Sequence, residues 1–194
     1  MEGASLSVDN LACRRGERVL FRSLSFDLGP GEALQVRGAN GTGKSSLLRI
    51  LAGLLRPYAG TVEHRGGISL LDGNLALDEH LPLGKAFDFW QRIEGGGYGP
   101  TGYADWGLSA LEDVPVRFLS TGQRKRAALL QSSARLAALW LLDEPLNGLD
   151  AEGAAHLADE IRVQREHGVT VLLASHQPLD LPGLTTLDLA DYAP

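Results

Sequence analysis

Eight consecutive residues, Gly38-Ala39-Asn40-Gly41-Thr42-Gly43-Lys44-Ser45, carry the groups needed to grip a chain of phosphates, and they fit the pattern GxxxxGK[ST]. Glycines at 38, 41 and 43 let the backbone turn with its N–H groups pointing inward, where a β-carbon would clash. The Lys44 ammonium is placed to reach the β- and γ-phosphates, and the Ser45 hydroxyl to ligate Mg2+. Such a cradle needs rigid flanks. Residues 33–37, ALQVR, read as a short strand. Ser46 opens a stretch of helical spacing that runs to residue 55, and the N-terminus of that helix aims its positive dipole end at the same phosphates. Strand, glycine loop and helix in this order separate a nucleotide loop from an accidental glycine-rich turn.

Two further groups could complete the chemistry. The apolar run at 138–142 reads as a buried strand that ends at Asp143-Glu144-Pro145. Asp143 at that strand end can hold Mg2+ directly or through water, and Glu144 can polarise an attacking water as general base. Alone, the same residues would be an acidic turn after a core strand. The second group is Ser120-Thr121-Gly122-Gln123 at the start of a helix, where backbone N–H groups, a hydroxyl and the dipole converge. Its bland alternative is a simple N-terminal cap. One nucleotide needs one cradle, so a second is economical if it serves the nucleotide of another copy of the chain.

Composition narrows the class. At 194 residues the chain is expected to be one domain with an ordinary soluble core. A formal net charge of −6 argues against general nucleic-acid binding, although Arg124-Lys125-Arg126 is locally basic. The single cysteine, Cys13, cannot form an internal disulfide, and no CxxC occurs. No run of 18 apolar residues is present. MEGASLSVDN at the start lacks the basic and apolar regions of a signal peptide.

The elements follow from periodicity. Residues 5–11 alternate as a half-buried strand, and 19–28 are strand-like in their second half. Gly29-Pro30-Gly31-Glu32 is a tight turn. Short strands are expected at 61–64 and 68–71, with an irregular linker over 72–81. Residues 82–93 read as a helix whose Leu83, Ala86, Phe89, Trp90 and Ile93 face the core. A second short helix spans about 103–111, a loop 113–118, and an Ala-, Leu- and Arg-rich helix 124–136. Asp150 caps a helix over 151–167, Gly168 stops it, and strands follow at 169–174 and 184–189. Strands alternating with helices predict an α/β fold: a mainly parallel sheet with helices on both faces. The helical stretch between two core strands is expected to form a separate small lobe.

These motifs in this order resemble the ATP-binding cassette (ABC) ATPases, and the likeness covers nearly the whole chain. GANGTGKS matches the Walker A loop, LSTGQ the signature, LLDEP the Walker B strand with its glutamate, and Leu146-Asn147-Gly148-Leu149-Asp150 the D-loop. His176 falls at the family's switch histidine. The resemblance implies a P-loop NTPase core at about 1–74 and 137–194, a small antiparallel β subdomain, and a helical lobe at about 78–136. It implies ATP and Mg2+ as ligands and a head-to-tail homodimer, each ATP lying between one subunit's cradle (38–46) and the other's Ser120, Thr121, Gly122 and Gln123. Lys44, Ser45 and Asp143 would handle phosphates and metal, Glu144 would activate water, and His176 would contact the γ-phosphate.

Residues 11–28, LEDVPVRFLSTGQRKRAALLQ and Ser175-His176-Gln177-Pro178-Leu179 are similar to the ATP-binding subunits of cytochrome c maturation systems. Those work with integral membrane subunits of the CcmB and CcmC kind, peripherally at the cytoplasmic face of the bacterial inner membrane, in exporting haem or releasing it from a haem chaperone. The five histidines are scattered, so the chain shows no haem site of its own. The docking groove for a membrane subunit is expected near 74–90.

Three positions depart from the family pattern. Arg14-Arg15 stand near the place of its adenine-stacking aromatic. Asn74 is the nearest candidate for the Q-loop glutamine and hence for a metal contact. Thr121 replaces a signature glycine. Alternatives to the haem-linked reading are the ATP-binding subunit of another ABC transporter, a soluble ABC ATPase acting on nucleic acid, or a non-catalytic nucleotide-binding partner.

Overall fold

The computed structural model describes residues 6–73, 76–94, 100–134 and 137–194. Two sheets organise them. The first is antiparallel and joins β1 (Leu6–Arg15), β2 (Arg18–Leu28) and β4 (Ala59–His64) in the order β2-β1-β4. The second joins β5 (Ile68–Leu71), β6 (Leu139–Asp143), β7 (Thr170–Ala174), β3 (Ala33–Arg37) and β8 (Leu184–Asp188) in the order β5-β6-β7-β3-β8, all pairs parallel. Strand β2 is continuous from Arg18, longer than its apolar pattern alone indicates, because β1 pairs with it from Leu6↔Leu28 to Arg15↔Arg18.

The central strands are buried on both faces, and their alternation sorts the core. Leu139 and Leu141 of β6 join Leu172, Leu34 and Val36 on the face covered by α1 (Lys44–Leu51) and the antiparallel sheet, through Leu47, Leu48, Leu51, Leu11 and Leu24. Trp140 and Leu142 point the other way with Val171 and Leu173. There they meet α5 (Ala151–Glu166) through Leu157 and Ile161, and α4 (Thr121–Ser133) through Ala127 and Leu129. The same apolar cluster continues into α2 (Leu83–Glu94) and to Trp106, beyond the short helix α3 (Pro100–Asp105). Trp140 Nε1 donates to Ser132 Oγ at 3.1 Å, which satisfies the one polar atom of this large buried ring.

The core face of α2 differs from expectation. Leu83, Ala86 and Phe87 are buried and Trp90 is half-buried, whereas Phe89 is 53% and Ile93 61% exposed. The buried set follows steps of three and four, which stay on one stripe. A run of threes drifts about 60° around a helix per step and carries Phe89 off it. The stretches 103–111 and 113–118 are also finer than expected, with single 3-10 turns at Ser109–Leu111 and Val116–Phe118. Main-chain bonds tie the second stretch to the one preceding α2: Val116 N donates to Leu81 O at 3.0 Å and Leu83 N to Val114 O at 3.0 Å. Among the described residues, no helix is long and apolar enough to cross a membrane.

Candidate nucleotide site

Three neighbouring strand ends build the site. Strands β6, β7 and β3 lie side by side with Asp143↔Ala174 and Val36↔Ala174 in register. The loops leaving their carboxyl ends therefore emerge together, where open parallel sheets bind ligands. From β3 comes the glycine loop, from β6 Asp143 and Glu144, and from β7 Ser175 and His176.

The loop has the backbone that its glycines predict. Gly38, Gly41 and Gly43 all have positive φ. At Gly43, with φ 113°, a β-carbon would sit 3.1 Å from the Phe21 ring and 3.2 Å from Leu20 Cβ. Gly43 is also the N-cap of α1, with no side chain capping the helix and no acidic residue in its first turn. The loop is braced by Thr42, whose Oγ1 donates to Ala39 O at 2.9 Å.

Lys44 is buried, with only 6% of its surface exposed, and curls back along the loop. Its Nζ donates to Gly38 O at 2.8 Å and to Ala39 O at 3.3 Å, and it lies 3.5 Å from Glu144 Oε1. The other oxygen of Glu144, Oε2, lies 3.0 Å from His176 Nδ1, within hydrogen-bond distance. Glu144 adopts φ 46°, a left-handed conformation rare outside glycine, and its N–H donates to Ala174 O at 2.8 Å. That bond extends the β6–β7 pairing by one residue and turns the carboxylate over the cradle. A cavity of about 240 Å³ results, walled by Gly41, Gly43, Lys44, Ser45, Ser46 and Glu144, together with Asn40 and Leu20 of β2. In the sequence Leu20 is only one apolar residue of the strand-like stretch 19–28, and no spacing marks it as a wall of the cavity.

Asp143 supplies the groups that a divalent cation needs. Burial pushes its carboxyl above the ordinary carboxylate range, and the Glu144 charge adds to this; a hydrogen bond from Ser45 and the charges of Arg49 and Lys44 oppose it. Its Oδ1 is buried without a hydrogen-bond partner. An orphaned carboxylate oxygen beside a hydroxyl fits a hard cation completed by phosphate oxygens. The half-buried Lys125 of α4 feels the same pair: burial lowers its amine, while Asp143 and Glu144 hold it up. Asn74, the remaining metal candidate, lies outside the described residues.

Ser120 stands at the start of α4 in a full capping box. Its Oγ accepts from Gln123 N at 3.2 Å, and Gln123 Oε1 accepts from Ser120 N at 2.8 Å. The cap does not exhaust the hydroxyl, whose proton still has a bond to give, and Ser120 and Thr121 are both exposed. Gly122 packs so closely on the 146–150 loop that a β-carbon would lie 3.1 Å from Gly148 O. The structure thus brings the cradle, Asp143, Glu144 and His176 together, and sets 120–123 against the D-loop stretch rather than into the cavity. Near the β1–β2 turn, the Arg14 guanidinium stacks 4.6 Å over the Tyr58 ring, so that cation already has an aromatic partner within the chain.

A phosphate loop facing a strand-borne Asp-Glu pair, with a serine-capped helix behind a short LD loop, is the construction of an ABC-type P-loop ATPase. Residues 21–95 match the family model described as ABC transporter. A solved ATP-binding subunit of an ABC transporter superposes with a TM-score of 0.80 over 88% of this chain and 79% of its own, at 21% identity, a likeness of fold. The chain is 54% identical to the cytochrome c biogenesis ATP-binding export protein CcmA of Novosphingobium aromaticivorans, over 100% of both chains. It is 47% identical to the protein of the same name from Zymomonas mobilis, over 97% of this chain and 86% of the relative. The chain belongs to the CcmA family of ABC ATP-binding proteins, and it is an ATP-hydrolysing subunit of the transport type.

Proposed function

We propose that this subunit couples ATP hydrolysis to the export of haem, or its release from a chaperone, in cytochrome c maturation. Support comes from the CcmA relatives named above. For the chemistry, the carrying observation is Glu144, held at φ 46° between Lys44 and His176 above the phosphate cradle. There its carboxylate can take a proton from a water attacking the γ-phosphate. His176 and Lys44 compensate charge on the same phosphate, and uncapped N–H groups of α1 receive the others. Ser45 and Asp143 would hold Mg2+, which neutralises phosphate charge when bound.

The unit is a single ATP-binding domain, with a core at about 1–74 and 137–194 and a helical lobe at about 78–136. Two copies pair head to tail around two ATP molecules, each offering Ser120 and the N–H groups of Thr121 and Gly122 to the partner's phosphates, with Gln123 bracing the cap. Membrane subunits, CcmB- and CcmC-like, recruit the dimer to the cytoplasmic face of the inner membrane. A groove of about 270 Å³ lined by Ala76, Leu81, Ala86, Phe89 and Trp90, with Asp78 as its charged member, suits a largely apolar segment of such a subunit.

The decisive experiment pairs Glu144→Gln with membrane co-purification. Glu144→Gln is expected to lose at least about a hundredfold in turnover, to retain ATP, and to dimerise with it. Tagged protein is expected to bring an integral membrane partner out of solubilised membranes. Turnover unchanged in Glu144→Gln, or no membrane partner recovered, overturns the corresponding half of the reading.

A further inference from the structure

We propose that Gln177 is a positioning residue that ties the 146–150 loop to the His176 loop and thereby couples the two nucleotide sites of the dimer; this rests on the head-to-tail reading above. Gln177 Nε2 donates to Asn147 Oδ1 at 3.1 Å, across 30 residues of sequence. Both of its ends are anchored. Its carbonyl accepts from Gln35 Nε2 at 2.7 Å and from Ser175 Oγ at 3.1 Å, and its own N–H donates to Ser175 Oγ at 3.0 Å. Gln35 and Ser175 are fully buried, so these bonds fix the backbone beside His176 to the sheet. Only the Gln177 side chain then reaches outward, and it reaches Asn147.

The 146–150 loop carries that contact onward. Asn147 N donates to Glu144 O at 3.3 Å, and the adjoining Gly148 carbonyl is the group against which Gly122 packs. A continuous path therefore runs from His176 through Gln177, Asn147 and Gly148 to Gly122, two residues from Ser120. In a head-to-tail pair, the two ends of this path serve different nucleotides: His176 faces the subunit's own γ-phosphate, and Ser120 faces the partner's. A bond that joins them makes closure at one nucleotide favour closure at the other.

The test uses the full chain, measuring steady-state ATP turnover, its Hill coefficient and the melting temperature. The unmutated protein is expected to show a Hill coefficient above 1. Gln177→Ala is expected to lower kcat about tenfold and bring the Hill coefficient close to 1, with KM within about twofold and melting little changed. Gln177→Glu keeps the contact, because the Asn147 amide can turn and donate to a carboxylate. Asn147→Asp keeps it too, because a carboxylate accepts from Gln177. The double variant sets two carboxylates against each other and should lose at least as much as Gln177→Ala, far more than the product of its single losses. An unmutated Hill coefficient of 1, a Gln177→Ala protein with normal kcat and cooperativity, or a double variant whose losses simply multiply would overturn the proposal. Glu144→Gln protein that stays monomeric with ATP sinks the head-to-tail reading as well; dimers that form while Gln177→Ala behaves normally sink only this inference.

Discussion

Two helix starts in this molecule look alike in sequence and are built on opposite principles. The N-terminus of α1 follows glycine at left-handed φ and has no side chain to cap it. The N-terminus of α4 satisfies itself with a reciprocal Ser120–Gln123 box. Both present a positive dipole end. The first leaves N–H groups without side-chain partners in a cavity that Lys44 and Glu144 close from the side, an arrangement suited to receive a whole polyphosphate within one chain. The second ties up Ser120 N and Gln123 N in its own cap and keeps one hydroxyl proton, the Thr121 and Gly122 N–H groups and a dipole for something outside, an arrangement suited to read the edge of a phosphate held elsewhere. Their difference teaches how one chain can hold a ligand with one helix and sense a partner's ligand with another.

Substitution at the α1 start carries the largest expected effect. Gly43→Ala forces a β-carbon against Phe21 and Leu20 at φ 113°. It should cost about 1–3 kcal/mol in folding stability and weaken ATP binding at least about tenfold, read by melting and by nucleotide titration. Normal binding would mean that the cradle tolerates a side chain and that the contrast is misdrawn.

At the α4 start, stability and function should separate. Ser120→Asp keeps an N-cap acceptor, so melting should hold within about 0.5 kcal/mol, while its negative charge faces the partner's phosphates and should abolish ATP-driven association. Ser120→Ala should lose about 1 kcal/mol of stability yet impair association less. Light scattering with trapped ATP decides; association of the Ser120→Asp variant would make α4 an ordinary capped helix.

A third helix start sharpens the scale at its small end. Asp150 caps α5, and the Gly153 N–H, then Arg126, hold its carboxyl below the ordinary carboxylate value of 3.8. A depressed acid contributes stability that is present above the unfolded value and lost as pH falls through the folded one. Asp150→Asn should therefore lower stability slightly at neutrality and flatten the acid limb below about pH 4, the two proteins converging at the acid end, as urea melts across pH would show.

Much of the site was legible because it is local. GANGTGKS, LLDEP and the LSTGQ cap each place their chemistry within a few residues, where backbone sterics and helix dipoles act on short spacings. Other positions depended on contacts that no motif carries. Arg14 did not stay a free cation but stacked on Tyr58, 44 positions away, which no spacing rule links to it. Phe89 and Ile93 carried apolar labels that suited a core, but the stripe that packs is decided by what covers it. The linker over 72–81 is irregular as expected among its described residues; within it Asp78 accepts from His80 N at 2.8 Å, just before the segment whose main chain bonds to 114–117.

By itself, the sequence determined the strand–loop–helix cradle, the capped helices, the buried strands and the residue types offered to phosphate and metal, because these depend on dihedral preference, dipoles and hydrophobic periodicity over short stretches. Only the tertiary structure decided that Lys44 meets Glu144, that Glu144 meets His176, and that Gln177 reaches Asn147. Those contacts join residues 30 to 100 positions apart. They exist because parallel strands β3, β7 and β6 bring their carboxyl ends to one edge, a matter of sheet order that no local pattern encodes.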